Sequence, residues 1–270
     1  MHRAVIGLIV FSICSVTAYS ADTLSKPTKW YFNWGYTRAW YGKSTLHIKD
    51  LSSNYHALSN TYNYYDLYFE NVTASDRPDF DKIKDVVNIS IPQFVFRLGR
   101  TINALWDFEI NYDHTKYIVN DYQSIRVYGQ MFHRPIDTIT VLDPKSLLHF
   151  EHSDGANFFL FNVLRKIRLL KSLKHVETAM VIKPGLGFVF PRTDVTIFGE
   201  RLNNNWHVAG LIAGLETGIR VKAFHRLMFE FCAKGSYADY TSCLVVGAGN
   251  GTASHSFFCG QLTGTLGFCF

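Results

Sequence analysis

Long apolar runs are missing from almost all of this 270-residue chain. After Val16 no stretch reaches the 18 or so uninterrupted apolar residues that a spanning helix needs, which excludes a helical membrane bundle. Charge is thin too, at 18% of residues with a formal net of +5, so the dense basic patch of a nucleic-acid binder is absent. Cysteine is scarce: there are five, none in a Cys-x-x-Cys pair, which excludes a zinc knuckle. No Gly-x-Ser-x-Gly elbow occurs. Gly185-Leu186-Gly187 and Gly247-Ala248-Gly249 precede no helix that would cradle a phosphate.

Aromatics are what the chain has in excess, at 16% of residues with 22 Phe and 15 Tyr. Its N-terminus is equally distinctive. His2 and Arg3 precede an apolar run over residues 4–16, and Ala18-Tyr19-Ser20 supplies the small residues a signal peptidase reads. Residues 1–20 therefore read as a signal peptide cleaved after Ser20, and 21–270 as one exported domain. Ile13 before Cys14 argues against lipoprotein processing. Loss of Arg3 takes the net charge from +5 to +4 and leaves Cys232, Cys243, Cys259 and Cys269. An oxidising compartment permits disulfides, so a Cys243–Cys259 bridge and free thiols both stand open.

Alternation with a period of two marks the strands. Trp30, Phe32, Trp34 and Tyr36 share one face of the first. Phe94, Phe96 and Leu98 do so in a second over 89–100, and Trp106, Phe108, Ile110 and Tyr112 in a third over 105–117. Further strands are expected at 157–165, 176–190, 208–223 and 227–237. The last, 259–270, carries Leu262, Leu266, Phe268 and Phe270 on one face. Residues 42–88 read as one excursion with its own hairpin, 45–49 against 62–69. Residues 118–154, 191–205 and 238–256 read as long loops, with strand character at 124–130. Short connections near 102, 172 and 224 alternate with these long ones.

That parity predicts an all-β fold: a transmembrane antiparallel β-barrel of eight strands, with long extracellular loops and an extended first hairpin. A ten-strand count would put the compact turn near 102 outside. The signal peptide, the weak helical periodicity and the aromatics place the barrel in a bacterial outer membrane. Phe268 and Phe270 read as the signal by which barrel-assembly machinery takes the closing strand. The other expected partners are outer-membrane lipids and lipopolysaccharide; nucleic acid is not expected.

Several motifs carry a family resemblance. Gly35-Tyr36-Thr37-Arg38-Ala39-Trp40-Tyr41 is followed by Lys43, Ser44 and His47, and Ile91-Pro92-Gln93-Phe94 opens the second strand. Pro191-Arg192-Thr193-Asp194-Val195, Gly199-Glu200-Arg201 and His207-Val208-Ala209-Gly210 follow later. As a set these resemble an uncharacterised outer-membrane β-barrel family of Gram-negative bacteria. The resemblance implies a barrel in that membrane and carries no activity. Where the family keeps its first hairpin loop short, this chain has an insert around 51–60.

Two constellations could carry chemistry. Ionisable groups on the inner face of a barrel need partners there. A turn centred near 102 puts Arg97 opposite Asp107 with Glu109 diagonal to it, and the turn near 224 brings Glu216 and Arg220 to Glu230. Eight strands enclose only enough space for side chains, so these six residues read as a structural plug before they read as a pore. The second constellation is Arg192, Asp194, Glu200, Arg201 and His207 at the outer rim. There a His–carboxylate pair suits general-base work, and the arginines suit a phosphate or carboxylate. The bland alternative is a charged rim that pairs internally.

Ser254-His255-Ser256 and Ser153-Asp154 suggest a hydrolase triad but lack its elbow. His149 and His152, three apart in an irregular segment, make a weak metal motif, and no metal or cofactor is expected. Three functions follow. The first is a structural or surface-interaction barrel with a plugged polar lumen. The second is a lipid-modifying hydrolase or acyltransferase using the Arg192–His207 rim. The third is a narrow pore or small-ligand carrier.

Overall fold

Strict alternation of large apolar with small or polar residues asks for extended backbone between two unlike environments. A computed structural model describes residues 30–51, 55–56, 61–62, 64–76, 93–152, 154–169, 175–203, 205–245 and 251–270. The expected signal peptide and its cleavage after Ser20 lie outside these residues, as does the start of the expected second strand. The described residues form antiparallel strands throughout, and none of their elements is a helix long enough to cross a membrane.

In chain order the first strands are β1 (Trp30–Tyr41), β2 (Ser44–Asp50), β3 (Tyr55–His56), β4 (Thr61–Tyr62), β5 (Tyr65–Val72) and β6 (Ala74–Ser75). Next come β7 (Phe94–Thr101), β8 (Trp106–Asp113), β9 (Tyr117–Val119), β10 (Ser124–Met131), β11 (Arg134–Val141) and β12 (Leu148–His152). The remainder are β13 (Phe158–Arg168), β14 (Val176–Val189), β15 (Asp194–Ile197), β16 (Glu200–Asn203), β17 (Gly210–Ala223), β18 (Leu227–Leu244) and β19 (Thr252–Cys269).

Eight of these strands return on themselves. β1 pairs with β7, and the run continues through β8, β13, β14, β17, β18 and β19. β19 then pairs back onto β1 over eleven residue pairs, from Tyr31–Cys269 to Tyr41–Cys259. Trp30 and Phe270 exchange backbone hydrogen bonds of 3.0 and 2.9 Å where the ring closes. The compact β7–β8 and β17–β18 turns lie at this same end. One close approach depends on glycine: a Cβ on Gly99 would sit 1.9 Å from the Tyr31 ring, which crosses the inside of the ring there.

At the opposite end the sheet grows sideways. β2 pairs with the outer part of β19, then with β5, which leads to β10 and the edge strand β11. A second sheet, in the order β16-β15-β12-β9-β6, packs onto this extension. Phe150, Val195 and Tyr117 from the second sheet enter one apolar core with Leu46, Ile48, Leu67 and Phe69 from the first. The core also takes Phe158, Ala238, Tyr240 and Phe257 from the ring, so the two sheets form a cap over its mouth.

The cap corrects the expected loops. Residues 118–154 contain most of β9 and all of β10 to β12, of which β10 meets the strand character expected at 124–130; residues 191–205 contain β15 and β16, and β18 and β19 run deep into 238–256. Of these, β9, β12 and β15 escape a search for alternation because they are buried on both faces: all three residues of β9 are buried. The hairpin expected within 42–88 forms as β2 against β5, with Leu46 opposite Phe69. Cys232, Cys243, Cys259 and Cys269 are free. Cys243 faces Ala253 and Cys259 faces Ser236, so the two thiols are six positions apart along β19 and cannot bridge.

Candidate functional site: a charged bore beneath an apolar cap

Ten charged side chains among the described residues form a network on the inner face of the ring and balance in sign. Arg97, Lys166, Lys183, Arg220 and Lys234 oppose Asp107, Glu109, Asp113, Glu216 and Glu230, and all but Lys166 are buried. At the centre the Lys183 ammonium donates to Glu109 and Glu216, at 2.9 Å each, and to Glu230. Toward the cap, Arg97 donates to Asp113 at 2.5 Å and Glu216 at 3.3 Å, and Lys234 also donates to Asp113.

Toward the turn end, Arg220 donates to Glu230 at 2.6 Å, Asp107 at 2.9 Å and Glu109 at 3.1 Å, with its guanidinium 4.5 Å over the Tyr31 ring. Tyr31 Oη donates to Glu109 at 2.7 Å, and Lys166 donates to Asp107 at 2.5 Å. Each carboxylate meets at least one cation, which is the condition for keeping charge in a dry interior.

The six expected residues all lie in this network, with one change of partner. Arg97 stands opposite Asn111, and Asp107 stands opposite Thr101. The β7–β8 turn is longer than expected and is held by Asn103, whose side-chain oxygen accepts from the backbone N–H of Leu105 at 2.8 Å and of Trp106 at 2.9 Å. That extension slides β8 by four positions and hands Arg97 to Asp113 and Glu216. Lys183, Lys234, Asp113 and Lys166 were not singled out from sequence. Lys183 had a signal, since it shares the inward parity of Val181 within an apolar strand.

The rim residues separate into different contacts. Arg201 holds Asp194 through both carboxylate oxygens, at 2.9 and 2.5 Å. Arg192 turns to Asp154 at 2.7 Å. His207 Nε2 meets Ser242 Oγ at 3.3 Å, and Glu200 is buried in the β15–β16 hairpin. A carboxylate clamped on both oxygens by arginine is poorly placed to orient His207 as a base. Ser153 lies outside the described residues.

A third cluster unites residues that sequence reading met one at a time. His152 of β12, Cys243 of β18 and His255 of β19 converge, all buried, with ligand atoms within 4.8 Å of one another. His152 Nε2 and His255 Nε2 are 3.1 Å apart, and Cys243 Sγ is 4.0 Å from His152 Nε2. Thr193 Oγ1 bonds His152 Nδ1 at 3.1 Å, and the Tyr240 ring stacks on both imidazoles at 4.9 and 4.8 Å. Burial and the neighbouring His255 push the His152 pKa well below its usual value, so this imidazole stays neutral with a lone pair available.

A β-bulge aims the thiol. Tyr240 pairs with His255 and Cys243 with Ala253, so β18 carries one extra residue there. Plain alternation from Tyr240 would point Ser242 inward; the bulge substitutes Cys243.

No family model matches the chain, and neither does any curated protein. Among solved structures, Ail, the attachment invasion locus protein of Yersinia pestis, is similar at 7% identity and a TM-score of 0.29, over 88% of this chain and 99% of that one. The P. putida toluene transporter TodX is similar at 9% identity and a TM-score of 0.16, over 91% of each chain. At such scores neither likeness carries an argument about this chain.

Proposed function

We propose that the chain is a bacterial outer-membrane β-barrel protein with a structural or surface-interaction role. Its ring of eight strands spans the bilayer, its bore is closed by paired charges, and its cap stands outside. The observation that carries this reading is an exchange of polarity along single strands. On β18, outward Phe229, Phe231 and Tyr237 give way to Asp239 and Thr241, while inward Glu230 and Lys234 give way to Ala238 and Tyr240. On β19 the outward series Phe268, Leu266, Leu262 and Phe258 passes to Ser256 and Ser254. A surrounding that is apolar below this level and aqueous above it accounts for both faces.

From Leu227 to Tyr237 is ten steps. That is roughly 34 Å along the strand and roughly 25 Å along the axis at a tilt of about 40°, close to the apolar band of a spanning barrel. A closed ring also leaves no open strand edge, as hydrocarbon requires. Phe268 and Phe270 stand exposed beside the ring closure, where the assembly machinery would take the strand; lipids and lipopolysaccharide would meet the belt and its rim.

Fractionation with gel migration tests the placement: the chain is expected in the outer membrane, running faster unheated than boiled. Recovery in the soluble periplasm would overturn it. In planar bilayers the purified protein is expected to be silent at all voltages, and stepwise conductance would replace the plugged bore with a pore.

A further inference from the structure

An apolar core rarely collects two imidazoles and a thiol, and here a bulge brings the thiol in. Hydrogen bonding alone explains only part of the arrangement. One imidazole N–H can donate across the 3.1 Å gap to the other, but His255 Nδ1 is left buried without a partner, and the thiol's own hydrogen bond is to Thr193. A metal ion bound by nitrogen at about 2.0 Å and sulfur at about 2.3 Å separates its ligand atoms by roughly 3.3–3.8 Å. The observed 3.1 and 4.0 Å bracket that span and the third separation lies within 4.8 Å, so rotations of the side chains close the site.

We propose that His152 Nε2, His255 Nε2 and Cys243 Sγ bind one monovalent copper ion in the cap. Three ligands of this softness suit the trigonal preference of copper, whereas zinc would want a fourth. Charge decides in the same direction. Binding releases the Cys243 thiol proton to solvent, and one thiolate neutralises a monovalent ion, whereas a divalent ion would leave a net positive charge in the core. With Thr193 Oγ1 accepting from His152 Nδ1–H, Nε2 is left bare, the outer-shell device that fixes a ligand tautomer. Tyr240 and Phe150 hold the rings by stacking and edge contact.

The other candidate cluster, Glu216, Glu230 and Cys232, already holds the Lys183 ammonium between its carboxylates and is no rival.

The test uses the full chain in detergent micelles, loaded anaerobically with Cu(I) or with Zn(II) and then competed with a chelator for each. The wild type is expected to retain one Cu(I) per chain, with near-ultraviolet thiolate-to-copper absorption. Cys243→Ser and His255→Gln should each weaken retention at least about 100-fold. Cys259→Ser, in the same core but outside the cluster, should leave retention unchanged. Unaltered heat-dependent migration confirms that each variant is folded. Loss of copper from the wild type, equal retention by C243S, or retention of Zn(II) in place of Cu(I) would each overturn the proposal.

Discussion

The bore and the cap share strands and alternation yet have opposite interiors. In the bore, Glu230 and Lys234 point inward from β18 and Phe231 points out; a few residues later Tyr240 points inward and Asp239 points out. The backbone is the same, so what differs is what each segment must bury. Within the ring the outer face carries the apolar side chains, and polar groups turned inward can only pair with one another. In the cap a second sheet supplies an apolar partner face, and the outer face is left polar. The inside of a β-fold is therefore set by what covers each face of the strand, and one strand can serve both regimes in succession.

The comparison predicts two different modes of failure. The largest effect belongs to the bore. Lys183→Ala removes the cation shared by Glu109, Glu216 and Glu230, leaving buried carboxylates short of charge, at a cost of about 3–5 kcal/mol. The expected outcome is a fall in the urea concentration at which the folded gel form is lost. The double variant Lys183→Met/Glu230→Gln should recover part of the loss. A single-variant cost below about 1 kcal/mol would mean that the bore is solvated, and the contrast with the cap would fail.

Leu148→Ala comes next. Its side chain is fully buried between the cap sheets, and truncation there costs about 3 kcal/mol. The damage should stay local: trypsin should begin to cut within the cap while the ring keeps its heat-dependent migration. Simultaneous loss of both would show one cooperative core where two are expected.

The ring strands were legible because each has one apolar face and enough residues for period two to register, as in β1 with Trp30, Phe32, Trp34 and Tyr36. The short turn parity then ordered them. What escaped was set by contacts distant in sequence. Leu148 opposite Ile197 builds a cap strand of five residues, too short and too evenly buried to alternate. One turn longer than expected moved Arg97 from Asp107 to Asp113, because register depends on turn geometry that composition does not encode. The inward thiol of Cys243 needs the bulge after Tyr240, and alternation by itself points that side chain outward. His152, Cys243 and His255 thus carry no joint signal in the sequence.

The smallest expected effect sharpens the contrast through pH. His149 on β12 is bonded by Glu151, which holds its pKa up, with Asp121 at 2.9 Å adding to the same effect; together they raise it to about 9. A histidine whose pKa rises on folding contributes stability that is complete below its ordinary value of about 6.5. That stability fades as pH climbs through about 9. The cap should therefore become more open to protease between neutral pH and pH 10. The ring should hold its heat-dependent migration over the same range, since Glu109, Glu216 and Glu230 meet their cations inside the bore. His149→Gln should flatten the cap's response without touching the ring. If the variant keeps the wild-type pH profile, the alkaline loosening belongs to another group, and the Asp121–His149–Glu151 bridge is not what fastens that edge of the cap.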